Sequence, residues 1–183
     1  MKIIFLIFLF ISFNSVALSS TKIDIINNLI NTKNINFNFE QNTNGKIETG
    51  NCIIEYPKKI FCKYDKPNGK VLISNGKSIV IITKNGNYYR YPIKNTPLNY
   101  ILDKKFLINE IKVLQERIIE DKFINFTIFK NENEINIFFD IKKFDLIGWQ
   151  TLDIYQNLNI THLSSLKKNQ DLKKNTFRLP PKN

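Results

Sequence analysis

The chain has 183 residues, 43% of them hydrophobic and 13% aromatic, with 27 Lys and Arg against 16 Asp and Glu, a formal charge of +11. That apolar content builds one core of ordinary domain size, and a surplus of base this large suits nucleic acid, an anionic lipid surface or an acidic partner. The export signal described next excludes nucleic acid, and the scattered pairs Lys58-Lys59, Lys104-Lys105, Lys142-Lys143, Lys167-Lys168 and Lys173-Lys174 read mainly as solvated surface.

Lys2 precedes nine unbroken apolar residues, Ile3 to Ile11, and then the small residues Ser15, Ala17, Ser19 and Ser20. A charged start, an apolar middle and a small-residue cleavage site make residues 1–19 a secretory signal peptide, cut after position 17 or 19. The apolar run is about half of the roughly 20 residues that span a bilayer. No Cys lies near the cleavage site to carry a lipid anchor. The expectation is an exported, soluble, untethered protein whose residues 20–183 form a single domain.

The mature chain opens with an amphipathic helix from about Thr21 to Lys33. Ser20 or Thr21 caps it, with Asp24 three residues after Thr21, and Ile23, Ile26, Leu29 and Ile30 form its stripe. Strict alternation from Ile35 to Gln41 then predicts a strand with Phe37 and Phe39 on one face. Strands follow at Ile47–Tyr56 and Ile60–Tyr64 around a tight turn at Pro57. Residues whose numbers sum to about 114 lie opposite each other there, which sets Cys52 against Cys62. Two Cys in an oxidising compartment predict a disulfide, against the alternative of two buried free thiols.

Val71–Ile73, Ser78–Thr83 and Tyr88–Tyr91 continue as an antiparallel meander between Asn- and Gly-bearing turns. The pattern breaks from Pro92 to Asn109, where Thr96-Pro97 starts a short helix with Leu98, Ile101 and Leu102 on one face. Strands are expected again at Ile111–Ile119, Phe123–Phe129, Ile135–Ile141, Phe144–Ile147, Thr151–Tyr155 and Ile160–Leu166, with a last short strand at Thr176–Pro181. About ten strands in one antiparallel sheet must curl, and the two helices are the cover for its concave face. The fold class is mainly β with α.

Catalytic chemistry is not indicated. His162 stands alone; no Cys/His cluster marks a metal site; the six Gly form no phosphate loop. Asp140 and Asp145 flank Lys142-Lys143 and read as salt-bridged surface rather than paired catalytic carboxylates. Asn125-Phe126-Thr127 and Asn159-Ile160-Thr161 match the short glycosylation pattern. The expectation is a non-enzyme without cofactor or metal.

Four segments, in order along almost the whole mature chain, resemble the periplasmic outer-membrane lipoprotein carrier family, LolA. They are Phe37-x-Phe39-x-Gln41, Tyr64-x-x-Pro67 followed by Val71 to Lys77, Asn95-Thr96-Pro97 with its apolar helix, and Phe177-x-Leu179-Pro180-Pro181. The resemblance implies a half-open β-barrel of about 10–11 strands, roofed by helices over a hydrophobic cavity. It implies a monomeric periplasmic carrier. Such a carrier accepts acylated lipoproteins from an inner-membrane ABC transporter, shields their acyl chains, and passes them to an outer-membrane acceptor or to the membrane surface itself. The alternative is a general periplasmic binder of lipids or hydrophobic ligands. Cavity and lid residues are then Phe37, Phe39, Ile23, Ile26, Ile30, Leu98, Ile101 and Leu102. The family's lid-holding Arg before the hairpin Pro is replaced by Tyr56, which becomes the candidate latch. Cys62 stands where the family commonly has an aromatic residue, and a bridge to Cys52 compensates for the lost packing.

Overall fold

The computed structural model describes residues 20–152 and 156–181. Residues 1–19, expected to be a signal peptide, and the end of the strand expected at Thr151–Tyr155 lie outside these. In chain order the elements are helix α1 (Ser20–Asn31), strands β1 (Asn34–Thr43), β2 (Lys46–Glu55), β3 (Lys59–Tyr64), β4 (Val71–Asn75), β5 (Ser78–Ile82) and β6 (Tyr88–Pro92). A 3-10 turn (Ile93–Asn95) and helices α2 (Leu98–Ile101) and α3 (Lys104–Val113) follow. Strands β7 (Arg117–Ile119), β8 (Phe123–Lys130), β9 (Asn133–Asp140), β10 (Leu146–Leu152) and β11 (Leu158–Lys168) complete the set.

The strands form one antiparallel sheet in the order β6-β5-β4-β3-β2-β1-β11-β10-β9-β8-β7. Its centre joins the two ends of the chain, β1 beside β11, and its free edges, β6 and β7, are consecutive strands. A sheet this wide twists and curls. The chain passes from one edge to the other through α2 and α3, so the sheet remains an unclosed, half-open barrel with helices over its concave side.

Alternation decides which side chains face inward. In β1, Ile35, Phe37 and Phe39 are buried while Asn38 and Glu40 are exposed. The register carries this parity across the sheet. Phe37, Cys52, Cys62, Leu72 and Ile81 make one inner row, and Asn36, Ile53, Phe61, Ile73, Val80 and Arg90 make one outer row. The inner faces of β8 and β9 contribute Ile124, Phe126, Ile128, Ile135, Ile137 and Phe139 to a core shared with Ile25, Ile26 and Leu29 of α1 and Leu107 and Ile111 of α3. That half is packed solid, with Phe126 and Phe139 edge to face at 6.1 Å.

Four expected strands are corrected. Ile111–Ile119 is not one strand: α3 runs to Val113 and only Arg117–Ile119 pairs with β8. The Asp103 side chain accepts from the Phe106 N–H at 3.1 Å as an N-cap, and Leu107 and Ile111, four apart, are buried on one helical face. The expected strands Phe144–Ile147 and Thr151–Tyr155 meet in one: Leu146 and Ile147 of the first and Thr151 and Leu152 of the second belong to a single strand, β10. Gly148 does not break it: a Cβ there would stand 2.6 Å from the Thr161 carbonyl oxygen, so the glycine permits close approach to β11. Thr176–Pro181 is not a strand but a tail laid on the outer face. Leu172 and Thr176 stand beside Ile53 and Phe61, the Phe177 ring lies 5.7 Å from the Lys59 ammonium, and Arg90 Nη2 and Tyr88 Oη donate to the carbonyls of Pro180 and Pro181 at 2.6 and 2.7 Å.

Candidate functional site: an apolar cavity under a helical lid

The other half of the concave face is not filled. Between β3–β6 and the helices lies a half-open cavity of about 420 Å³. Its floor is Ile60, Cys62, Leu72, Ile79 and Ile81, its roof is Thr96, Pro97, Leu98 and Ile101, and Phe39, Trp149 and Leu152 close its sides. Parity forces this lining, because these strand positions share the inner rows of the sheet. The disulfide joins Cys52 to Cys62 directly across β2 and β3, with Cα atoms 4.1 Å apart, and ties down the strand that carries the floor. Phe39 is held by Gly50, where a Cβ would come within 2.8 Å of its ring, and by an edge-on contact to Tyr64 at 4.8 Å.

The expected site residues fall into three groups. Phe39, Leu98 and Ile101 line the cavity. Phe37, Ile26 and Leu102 are buried in the adjoining core. Ile23 and Ile30 do not face inward: they are 44% and 54% exposed, because α1 buries the arc through Ile25, Ile26 and Leu29 and leaves them at its margins. The floor residues Leu72, Ile79 and Ile81 and the side wall Trp149 were not legible as cavity. The run Ile79-Val80-Ile81-Ile82 is apolar on both faces, and Val80, in the outer row between Ile73 and Arg90, is buried as Ile79 is.

Tyr56 meets the lid through its ring, which lies 5.9 Å from the Lys104 ammonium at the start of α3. Its hydroxyl is buried without a hydrogen-bond partner among the described residues, its ring packs on the core, and burial pushes its pKa above the ordinary value. The hairpin does hold the lid, but through Lys58. The Lys58 N–H donates to the Leu102 carbonyl at 2.7 Å, and its ammonium meets the Asp103 carboxylate at 3.2 Å. Its own carbonyl accepts from the Ser74 hydroxyl at 2.8 Å. Asp103 thus caps α3 and ties the α2–α3 junction to the β2–β3 turn. Lys104 adds a second tie by donating to the carbonyls of Ile30 and Thr32 at the end of α1.

One end of the cavity is polar. Tyr64 Oη donates to Gln41 Oε1 at 3.0 Å, and Gln41 Nε2 donates to Asn159 Oδ1 at 3.0 Å and Thr161 Oγ1 at 3.5 Å. All four residues line the cavity, as does Thr151. Burial, and then the nearby Glu48 carboxylate, push the Tyr64 pKa upward and keep its hydroxyl a donor. Glu48 is itself neutralised by Lys70 at 2.6 Å, with the ammonium 4.1 Å from the Tyr64 ring centre.

The remaining polar candidates lie elsewhere. His162 is on the outer face opposite Glu40. Asp140 accepts from the N–H groups of Lys142 and Lys143, and Asp145 pairs with Lys168 rather than with either of those lysines. The Asn125 side chain is buried, and that of Asn159 is held in the cavity wall, so neither presents itself for glycosylation. Among the described residues no cluster of His, Cys, Asp and Glu is arranged to hold a metal, and no helix is long and apolar enough to cross a membrane.

No curated protein matches this sequence. Solved structures are similar only distantly. A LolA superfamily protein from Nitrosomonas europaea aligns at 8% identity and TM-score 0.47, over 88% of this chain and 99% of that one. A DUF1329 family protein from Desulfovibrio piger aligns at 10% identity and TM-score 0.44, over 88% and 97%. The MucA/MucB complex of Pseudomonas aeruginosa aligns at 12% identity and TM-score 0.37, over 87% of this chain and 61% of that one. The sequence itself, over residues 30–180, matches the model of a family described as outer membrane lipoprotein carrier protein LolA. With most of its length matched, and with a curled sheet, helical roof and apolar cavity in place, the chain belongs to the LolA family.

Proposed function

We propose that the protein is a periplasmic carrier that hides the acyl chains of lipoproteins between the inner-membrane transporter that releases them and the outer membrane. The observation that carries this reading is the apolar cavity beneath a lid fastened by few contacts, in a member of this family. Each methylene withdrawn from water is worth about 0.8 kcal/mol, so a bare acyl chain does not cross an aqueous compartment unaided. A non-covalent cavity supplies that cover and gives it up when the lid moves.

The cavity's 420 Å³, at about 30 Å³ for each methylene taken as the size of a water molecule, holds on the order of fourteen methylenes, one fatty chain. A multiply acylated cargo therefore requires the α2 roof to move away from the β2–β3 turn, a motion that the part-exposed Lys58–Asp103 pair opposes only weakly. The same volume is the specific reason to keep a second reading, a periplasmic binder of single-chain lipids. The reading of residues 1–19 as an export signal supports a periplasmic setting for either activity.

Purification of the tagged protein from the periplasm, followed by mass spectrometry of bound material, separates the two. Stoichiometric acylated lipoprotein is the result expected. Free lipid alone favours the second reading, and an empty protein contradicts both.

A further inference from the structure

The polar end of the cavity is unexplained by acyl-chain burial. Tyr64, Gln41, Asn159 and Thr151 form a continuous wall at one end of the sheet, beside the β1–β2 turn and the β3–β4 connection. The opposite end, below α2, is aliphatic. No charged side chain lines the cavity among the described residues. The charged pair beside Tyr64, Glu48 with Lys70, is internally neutralised.

A carboxylate or phosphate brought to this wall would be desolvated without a cation, whereas an ester or amide carbonyl needs only uncharged donors. The wall has them to spare. Asn159 uses its side-chain oxygen to accept from Gln41, and its amide N–H groups have no protein partner among the described residues; neither has the Thr151 hydroxyl.

We propose that the cavity takes its ligand tail-first and reads the uncharged ester or amide linkages of an acylglyceryl-type head with the Gln41, Tyr64, Thr151 and Asn159 wall. This rests on the carrier reading and specifies its cargo chemistry. Chains lie under α2, the linkages sit at the polar wall, and whatever follows the head leaves at the loop end. Lipoproteins and free diacylglycerol share that chemistry, so both must be tested.

Trp149 is the sole Trp of the chain and lines the cavity, which makes its fluorescence the readout. The exported protein is titrated with a synthetic diacylglyceryl-cysteine peptide, with its dialkyl-ether counterpart of equal chain length, and with diacylglycerol bearing the same chains. The ester peptide should bind roughly tenfold more tightly than the ether, the difference made by about one or two neutral hydrogen bonds. Thr151→Val and, separately, Asn159→Leu should each shrink that ratio to about threefold by weakening ester binding more than ether binding. Equal binding of ester and ether by the wild type, or parallel loss of both in the variants, would overturn the proposal while leaving the carrier reading intact. Binding of no probe would overturn both. Diacylglycerol matching the peptide would support the linkage chemistry and count against lipoproteins as the cargo.

Discussion

Single residues set the shape of the inner face. Gly50 is the sharpest case, because a Cβ there would lie 2.0 Å from the Lys63 carbonyl oxygen as well as against Phe39. Backbone cannot retreat as a flexible side chain can, so Gly50→Ala should destabilise by about 3 kcal/mol, read as a lowered denaturant midpoint with unchanged slope. Tyr56 works in the other sense. Its hydroxyl is buried and unsatisfied, so Tyr56→Phe should be neutral or stabilising by about 1 kcal/mol at neutral pH and should leave ligand release unaltered. Slower or faster release in that variant would establish the hydroxyl of Tyr56 as a latch.

Tyr56 and Tyr64, both part-buried, also bear on the alkaline stability of the fold. Both have folded pKa values raised above the ordinary value of 10.0. Below that value both states are protonated and the stability is complete. As pH rises past it, the unfolded state loses protons that the folded state retains, so stability falls. Thermal melts should therefore decline from about pH 10 upward, less steeply in Tyr56→Phe; a pH-independent melt across that range would remove burial as the cause of the shifts.

At the level of elements, the lid depends on one junction. Asp103 caps α3 and pairs with Lys58. Asp103→Ala should cost about 1 kcal/mol for the cap and at most a few tenths for the part-exposed ion pair. Amide exchange across α2 and α3 should accelerate while that of β8 and β9 stays unchanged, and bound ligand should leave faster. Uniform acceleration through both regions would mean that the junction holds the whole fold rather than the lid.

What could be read from the sequence follows the same logic. Strands with one wet face, such as β1, announced their parity, and the Cys52–Cys62 pairing followed from the turn at Pro57. Strands covered on both sides did not: Ile79 and Val80 are both buried, one toward the cavity and one in the outer row. The same tail, read as a strand, proved to be irregular backbone held by Arg90. In α3 the apolar spacing ran on into β7 across only three residues, so helix and strand merged into one expected strand. The polar wall was invisible because Gln41, Tyr64 and Asn159 come from three distant strands.

For the whole molecule, the sheet is asymmetric in its filling. The half built from β7–β9 is packed solid against α1 and α3, and the half built from β3–β6 encloses the cavity. Stability resides in the first half; in the second, the unfilled interior and lightly held roof are where the proposed carrier would take up and release its cargo.

The most direct test is photo-crosslinking in living cells, with a benzophenone side chain placed at Tyr91, on the cavity rim, or at Val113, exposed at the end of α3. The account predicts adducts with acylated lipoproteins from Tyr91 and none from Val113, lost when lipoprotein acylation is blocked. Equal adducts from both positions, or adducts that persist without acylation, would contradict an acyl-chain carrier.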